Sequence, residues 1–92
     1  MHIFYDDNMP YAKEVFSTLG TVQQFNHAEI SSLDVSAVDA LMIRSTTKVD
    51  KALVERLASC AYVATATAGY NHLDLAALAN ADKQVYHAAG CN

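Results

Sequence analysis

Short apolar runs alternate along the chain with stretches that repeat at helical spacing. Ile3-Phe4-Tyr5 is a compact apolar run that ends in Asp6-Asp7. Asn8 and Pro10 then open a helix, because asparagine accepts from the free N–H groups of a first turn and proline lacks one to satisfy. Ala12, Val15, Phe16 and Leu19 recur at i, i+3, i+4 and i+7, the spacing of one helical face. Gly20 stands where the helix should end. Val22–Phe25 predicts a second strand. Residues 26–39 carry no clear period, and Ser31 or Ser32 could cap a short helical turn there. Ala40-Leu41-Met42-Ile43 predicts a third strand, apolar enough to be buried on both faces. Asp50 caps a helix that turns Leu53, Val54, Leu57 and Ala58 inward, with Lys51 and Glu55 spaced to pair on its wet side. Tyr62-Val63-Ala64-Thr65 is the fourth strand. Leu75, Ala76, Leu78 and Ala79 form a short helix after Asp74, and Gln84–His87 is the fifth strand.

Strand and helix alternating in this way predict an α/β fold, a flavodoxin-like parallel sheet with helices on both faces. Ligands of such sheets bind outside the carboxyl ends of the strands. Function is therefore sought at Asp6-Asp7, Arg44-Ser45, Thr65-Ala66-Thr67-Ala68-Gly69 and Ala88-Ala89-Gly90.

Composition narrows the classes. At 92 residues the chain makes one small domain at most, and with 52% hydrophobic and 17% charged residues it is not a disordered polypeptide. Much of the apolar share is alanine, which predicts a thin core or surfaces meant for something else. Six Lys plus Arg against ten Asp plus Glu give a net charge of −4 with no basic cluster, so no nucleic-acid partner is expected. No apolar run approaches membrane-spanning length, and the first residues lack a signal-peptide pattern. A cytoplasmic protein with no membrane partner is expected, and Cys60 and Cys91 are then reduced thiols. The histidines, His2, His27, His72 and His87, form no HxH or HExxH pattern, so no metal site is assigned. His72 reads as a hydrogen-bonded turn residue.

Two strand ends carry candidate chemistry. Arg44 offers a planar fork of donors that suits a carboxylate or phosphate, and Ser45 adds a hydroxyl beside it. An ion pair with Asp6, Asp7 or Asp39 would instead make Arg44 an ordinary surface residue. The small residues around Thr67, Ala68 and Gly69 let a ligand approach backbone N–H groups, although a plain strand-to-helix turn needs small residues too. Asp6-Asp7 resembles the acidic pair of response-regulator receivers. The phospho-accepting aspartate is replaced by Arg44 and the lysine by Ala88, so the two carboxylates are expected to orient loops or cap the first helix.

Four segments taken together, Asp6-Asp7-Asn8-Met9-Pro10-Tyr11-Ala12, Ala40 to Val49, Thr65 to Asp74, and Ala89-Gly90-Cys91-Asn92, resemble the D-isomer-specific 2-hydroxyacid dehydrogenase family. Within it they resemble the branch that oxidises 4-phospho-D-erythronate to the 2-oxo acid on the route to pyridoxal 5′-phosphate. The chain departs from that branch at Ala89, where proline is usual, and at Tyr70-Asn71, where Thr-Asp is frequent. The resemblance implies that this stretch is the N-terminal part of the substrate-binding domain. Ser45 and Thr67 fall on substrate-contacting positions, Arg44 is a further anion contact, and the N–H groups of Ala68 and Gly69 hold the carboxylate. It also implies that the NAD-binding Rossmann domain, the catalytic Arg, Glu and His, and a segment completing the substrate domain all follow Asn92. No catalytic or cofactor-binding residue is then assigned here, and these residues alone are expected to be inactive. The parent enzyme is expected to be a homodimer acting on a small phosphorylated hydroxy acid. Two other readings stay open: a stand-alone anion-binding or interaction module, and a dehydrogenase for another 2-hydroxy acid.

Overall fold

A strand buried on both faces must be apolar throughout and find its hydrogen bonds in neighbouring strands, and the apolar runs of this chain do so. The computed structural model describes residues 1–9, 17–66 and 71–87. Its strands are β1 (His2–Asp6), β2 (Thr21–Phe25), β3 (Ala40–Ile43), β4 (Tyr62–Thr65) and β5 (Gln84–His87). All pairs are parallel, in the order β2-β1-β3-β4-β5. The register sets Ile3 against Ala40, and Ile43 against Thr65. After β2 the chain passes back across β1 to lay down β3, so the direction of winding reverses between β1 and β3.

Helix α1 (Lys51–Arg56) is capped by Asp50, whose carboxylate accepts from Leu53 N at 2.9 Å. Helix α2 (Leu75–Asn80) is capped in the same way by Asp74, which accepts from Ala77 N at 3.0 Å. Such a cap contributes about 1 kcal/mol. Leu53, Val54 and Leu57 join Leu78 against Phe4, Leu41, Ile43 and Val63 of the sheet. Burying each large side chain stabilises the fold by roughly 1.5–3 kcal/mol. Among the described residues no helix is long and apolar enough to cross a membrane.

The stretch that shows no period in sequence is held by its neighbours. A 3-10 helix covers His27–Ser32, and its cap is Asn26, which accepts from Ala28 N at 2.9 Å, rather than Ser31 or Ser32. Arg56 of α1 donates to the carbonyls of Ile30 and Leu33. Val35 and Val38 are buried behind it. A second cation, Lys83, donates to the carbonyls of Leu57 and Cys60 at 2.6 Å each and satisfies the end of α1.

Several details depart from the periodic reading. Leu19 is 59% exposed, in a turn over residues 17–19, and Ala58 is exposed, beyond the end of α1 at Arg56. Lys51 and Glu55 are exposed but form no ion pair, which is common where solvent screens both charges. Alanine does not thin the core: among the described residues only Ala40 is a buried alanine, and Leu, Ile, Val and Phe fill the interior. Cys60 is a buried free thiol. Residues 10–16 of the helix expected between Pro10 and Leu19, and the second thiol, Cys91, lie outside the described residues.

Gly20 has φ +157°, and a Cβ added there would sit 2.2 Å from the carbonyl oxygen of Met1. That same oxygen accepts from Thr21 N at 2.9 Å, which starts the β1–β2 ladder. Gly20→Ala is therefore expected to destabilise the chain by about 1–3 kcal/mol, read as a lower urea midpoint at unchanged m-value. An unchanged midpoint would show that the contact yields freely.

Candidate functional site

Parallel pairing brings the residues after every strand to one edge of the sheet. Beyond Ile43 the carbonyl of Arg44 accepts from Thr47 N at 3.1 Å, closing a turn with Ser45 and Thr46 at its tip. Ser45, Thr46 and Lys48 are exposed, Arg44 is half-buried and Thr47 is buried. The Thr47 hydroxyl has no hydrogen-bond partner. A buried polar group in this state costs about 1–3 kcal/mol.

Across from this turn stands the end of β1. Asp6 is fully buried, although its position as a strand-end carboxylate suggests exposure. Its two oxygens accept from Asn8 N at 2.8 Å and, over a long 3.5 Å, from the Thr46 hydroxyl. Asp7 accepts from the Asn26 amide at 3.1 Å, while its other oxygen is buried and unpaired. The pair thus orients the loops after β1, β2 and β3, as expected of it. The described residues contain no group of three metal-ligating side chains.

Arg44 takes none of the ion pairs that would explain it away. Asp6 and Asp7 are engaged as described, and Asp39 lies before β3, at the opposite edge, where it accepts from His2 N at 2.7 Å. Arg44 and Lys48 therefore leave a local positive region on a chain of net charge −4.

The end of β4 is pinned from the other side. Thr65, 1% exposed, has its hydroxyl 2.9 Å from His72 Nε2. The His72 carbonyl accepts from Val49 N at 2.8 Å, and Asp74 N donates to the Val49 carbonyl at 2.8 Å. Ala66 N donates to the Ile43 carbonyl at 2.8 Å. A cavity of about 260 Å³ opens here, lined by Lys48, Val49, Asp50, Asn71 and His72 among others. A larger one of about 390 Å³ lies between α1 and α2 and contains none of the candidate residues. Chemistry, not volume, singles out the strand ends.

The structure brings Arg44 and Ser45 to the expected edge. Thr67, Ala68 and Gly69 lie outside the described residues. Thr46 and Thr47 were not singled out by sequence, and Thr65 was named there only as the first residue of a strand-end segment, with no role of its own.

Comparison with known proteins gives a consistent picture. Residues 3–92 match the family model described as "D-isomer specific 2-hydroxyacid dehydrogenase, catalytic domain". An erythronate-4-phosphate dehydrogenase of Pseudoalteromonas atlantica is 45% identical over the whole chain. The alignment covers 25% of that relative, so this chain spans about a quarter of its length. Among solved structures, a protein from Pyrococcus horikoshii OT3 superposes with a TM-score of 0.86 at 18% identity, covering 98% of this chain and 28% of that one. An NAD+-bound 3-phosphoglycerate dehydrogenase of Entamoeba histolytica gives 0.77 at 20% identity, covering 95% and 32%.

Burial holds the His72 imidazole below its usual pKa of 6.5, so it is neutral at pH 7. The folded state then resists a proton that the unfolded chain accepts near pH 6.5, and stability rises with pH between the two values. Wild type is expected to lose stability as pH falls from about 6.5 through the folded-state pKa, relative to His72→Gln. Parallel urea titrations of the two proteins from pH 7.5 to 4.5 test this. A constant difference across that range would contradict it.

Proposed function

The chain belongs to the D-isomer specific 2-hydroxyacid dehydrogenase family, and we propose that it forms the N-terminal part of the substrate-binding domain of an NAD-dependent 4-phospho-D-erythronate dehydrogenase. The overall reaction would oxidise the C2 hydroxyl to the ketone of 2-oxo-3-hydroxy-4-phosphobutanoate, on the route to pyridoxal 5′-phosphate. The enzyme would be a cytoplasmic homodimer. The relative from Pseudoalteromonas atlantica bears the name of that activity and supports the choice of substrate.

One observation carries the reading: an Arg44 that forms no ion pair among the described residues, beside an exposed Ser45, at the end of β3 where the strand order reverses between β1 and β3. Open α/β sheets bind their ligands at such a reversal. Arg44 would hold the substrate carboxylate through its fork of N–H donors, and Ser45 would donate to the same anion. Thr67 would contribute a third donor, and the N–H groups of Ala68 and Gly69 would complete the carboxylate cradle. Lys48 would add positive potential towards the phosphorylated end.

NAD does not fit the residues present. The three glycines, Gly20, Gly69 and Gly90, cannot form a Gly-x-Gly-x-x-Gly turn. The first strand also runs into Asp6-Asp7, whose charge would repel a pyrophosphate. Dinucleotide binding, hydride transfer and the acid–base residues are accordingly assigned to other parts of the enzyme.

Steady-state kinetics on the full-length dehydrogenase test the site. Ser45→Ala, Thr67→Ala and Arg44→Gln are each expected to raise KM for 4-phospho-D-erythronate roughly tenfold or more, with KM for NAD unchanged. An unchanged KM for the acid would remove that residue from the site, and a higher kcat/KM for glycerate-type acids would reassign the substrate. For the 92-residue chain alone, NAD titration is expected to show no saturation; a micromolar Kd would overturn the division of labour.

A further inference from the structure

Two loops leave the sheet side by side, after β3 and after β4, and a single residue is bonded to both. The His72 ring reaches back to the hydroxyl of Thr65, the last residue of β4, at 2.9 Å. Its carbonyl accepts from Val49 N at 2.8 Å, directly after the Arg44–Lys48 turn. Val49 and Leu73 then form an isolated parallel bridge, and both are buried.

The turn is held upstream by the strand ladder and by Thr46 on Asp6. Downstream, the Val49 bridge is its described tie to the end of β4. Thr65 and Val49 are each 1% exposed and His72 is half-buried, so the Thr65 hydroxyl and the Val49 amide lie away from solvent. A hydrogen bond there meets little competition from water, and losing one member leaves a desolvated group behind.

We propose that His72 is a positioning residue for the Arg44–Lys48 turn, linking it through Val49 to Thr65 so that the turn keeps one distance from the end of β4. His72 touches no substrate in this scheme. It acts through the backbone, and Thr65 fixes the ring that fixes the backbone. This rests on the assignment of Arg44 and Ser45 as substrate contacts.

The test uses the full-length dehydrogenase and two independent readouts. Thr65→Val keeps the shape and deletes the hydroxyl, while Thr65→Ser keeps the hydroxyl. Thr65→Val is expected to raise KM for the hydroxy acid about five- to tenfold, with kcat within about twofold and KM for NAD unchanged. Thr65→Ser is expected to return KM to within about twofold of wild type. By hydrogen exchange, Thr65→Val should speed exchange of the Val49 and Asp74 amides about tenfold and leave those of Leu41 and Val63 unchanged. Should Thr65→Val fail to fold, His72→Phe removes the ring nitrogen, leaves the backbone bond available and carries the same readouts.

A loss of thermal stability with an unchanged acid KM and unchanged Val49 exchange would overturn the proposal, since it would mark a merely structural bond. Equal rises in KM for acid and NAD would do the same. If wild type turned over a different 2-hydroxy acid, only the substrate reading would fall, and KM would be measured with that acid. Amide exchange at Val49 decides the linkage whatever the substrate.

Discussion

The pairing of β1 with both β2 and β3 is the constraint on which the rest depends. All five strands run the same way, so their polar ends share one edge. Because β1 is laid down first and flanked on opposite sides by the next two strands, the connections diverge at its carboxyl end. Asp6 sits at that end, fully buried, with the Arg44–Thr47 turn beside it. A carboxylate buried so completely requires donors, and those donors come from the loops after β1 and β3. The same electrostatic need that makes Asp6 tolerable thus holds these two loops together.

The connections on the rear side are held by a different economy of groups. Six-residue helices such as α1 and α2 are too short to be stable alone and end with several unbonded carbonyls. Two long cations meet that need. Lys83 arrives from the turn before β5 to close the end of α1, and Arg56 leaves α1 to bind carbonyls of the 26–39 stretch. Both keep their stems along apolar surface while the charged heads find oxygen. Among the described residues these connections are in this way sealed by charges on main-chain atoms rather than by ion pairs.

Much of this was legible in the sequence, and for definite reasons. The inner strands β1, β3 and β4 were readable because parallel strands covered on both faces are apolar without interruption, and β3, β4 and β5 fall at the bounds read from sequence. Asp50 and Asp74 announced their helices because a cap acts locally. The 26–39 stretch was not readable, since its conformation is set by Arg56 from elsewhere in the chain. The burial of Asp6 was hidden for the same reason: its partner Thr46 lies forty residues away. At the site, Arg44 and Ser45 were legible as an anion-binding type in a strand-end position. The Thr65–His72–Val49 linkage was not, because a main-chain carbonyl leaves no mark in residue identity.

The buried thiol of Cys60 has a practical meaning for how this molecule breathes. It donates to the carbonyl of Tyr62 at 3.1 Å, and burial raises its pKa above the ordinary thiol value. Thiolate is the reactive form, so the closed molecule shields this sulfur from alkylating reagents both sterically and chemically. Cys60 lies where α1 hands the chain to β4, and its own carbonyl accepts from Lys83. The rate at which Cys60 is modified therefore reports local opening where α1 meets β4, with no foreign label in the protein.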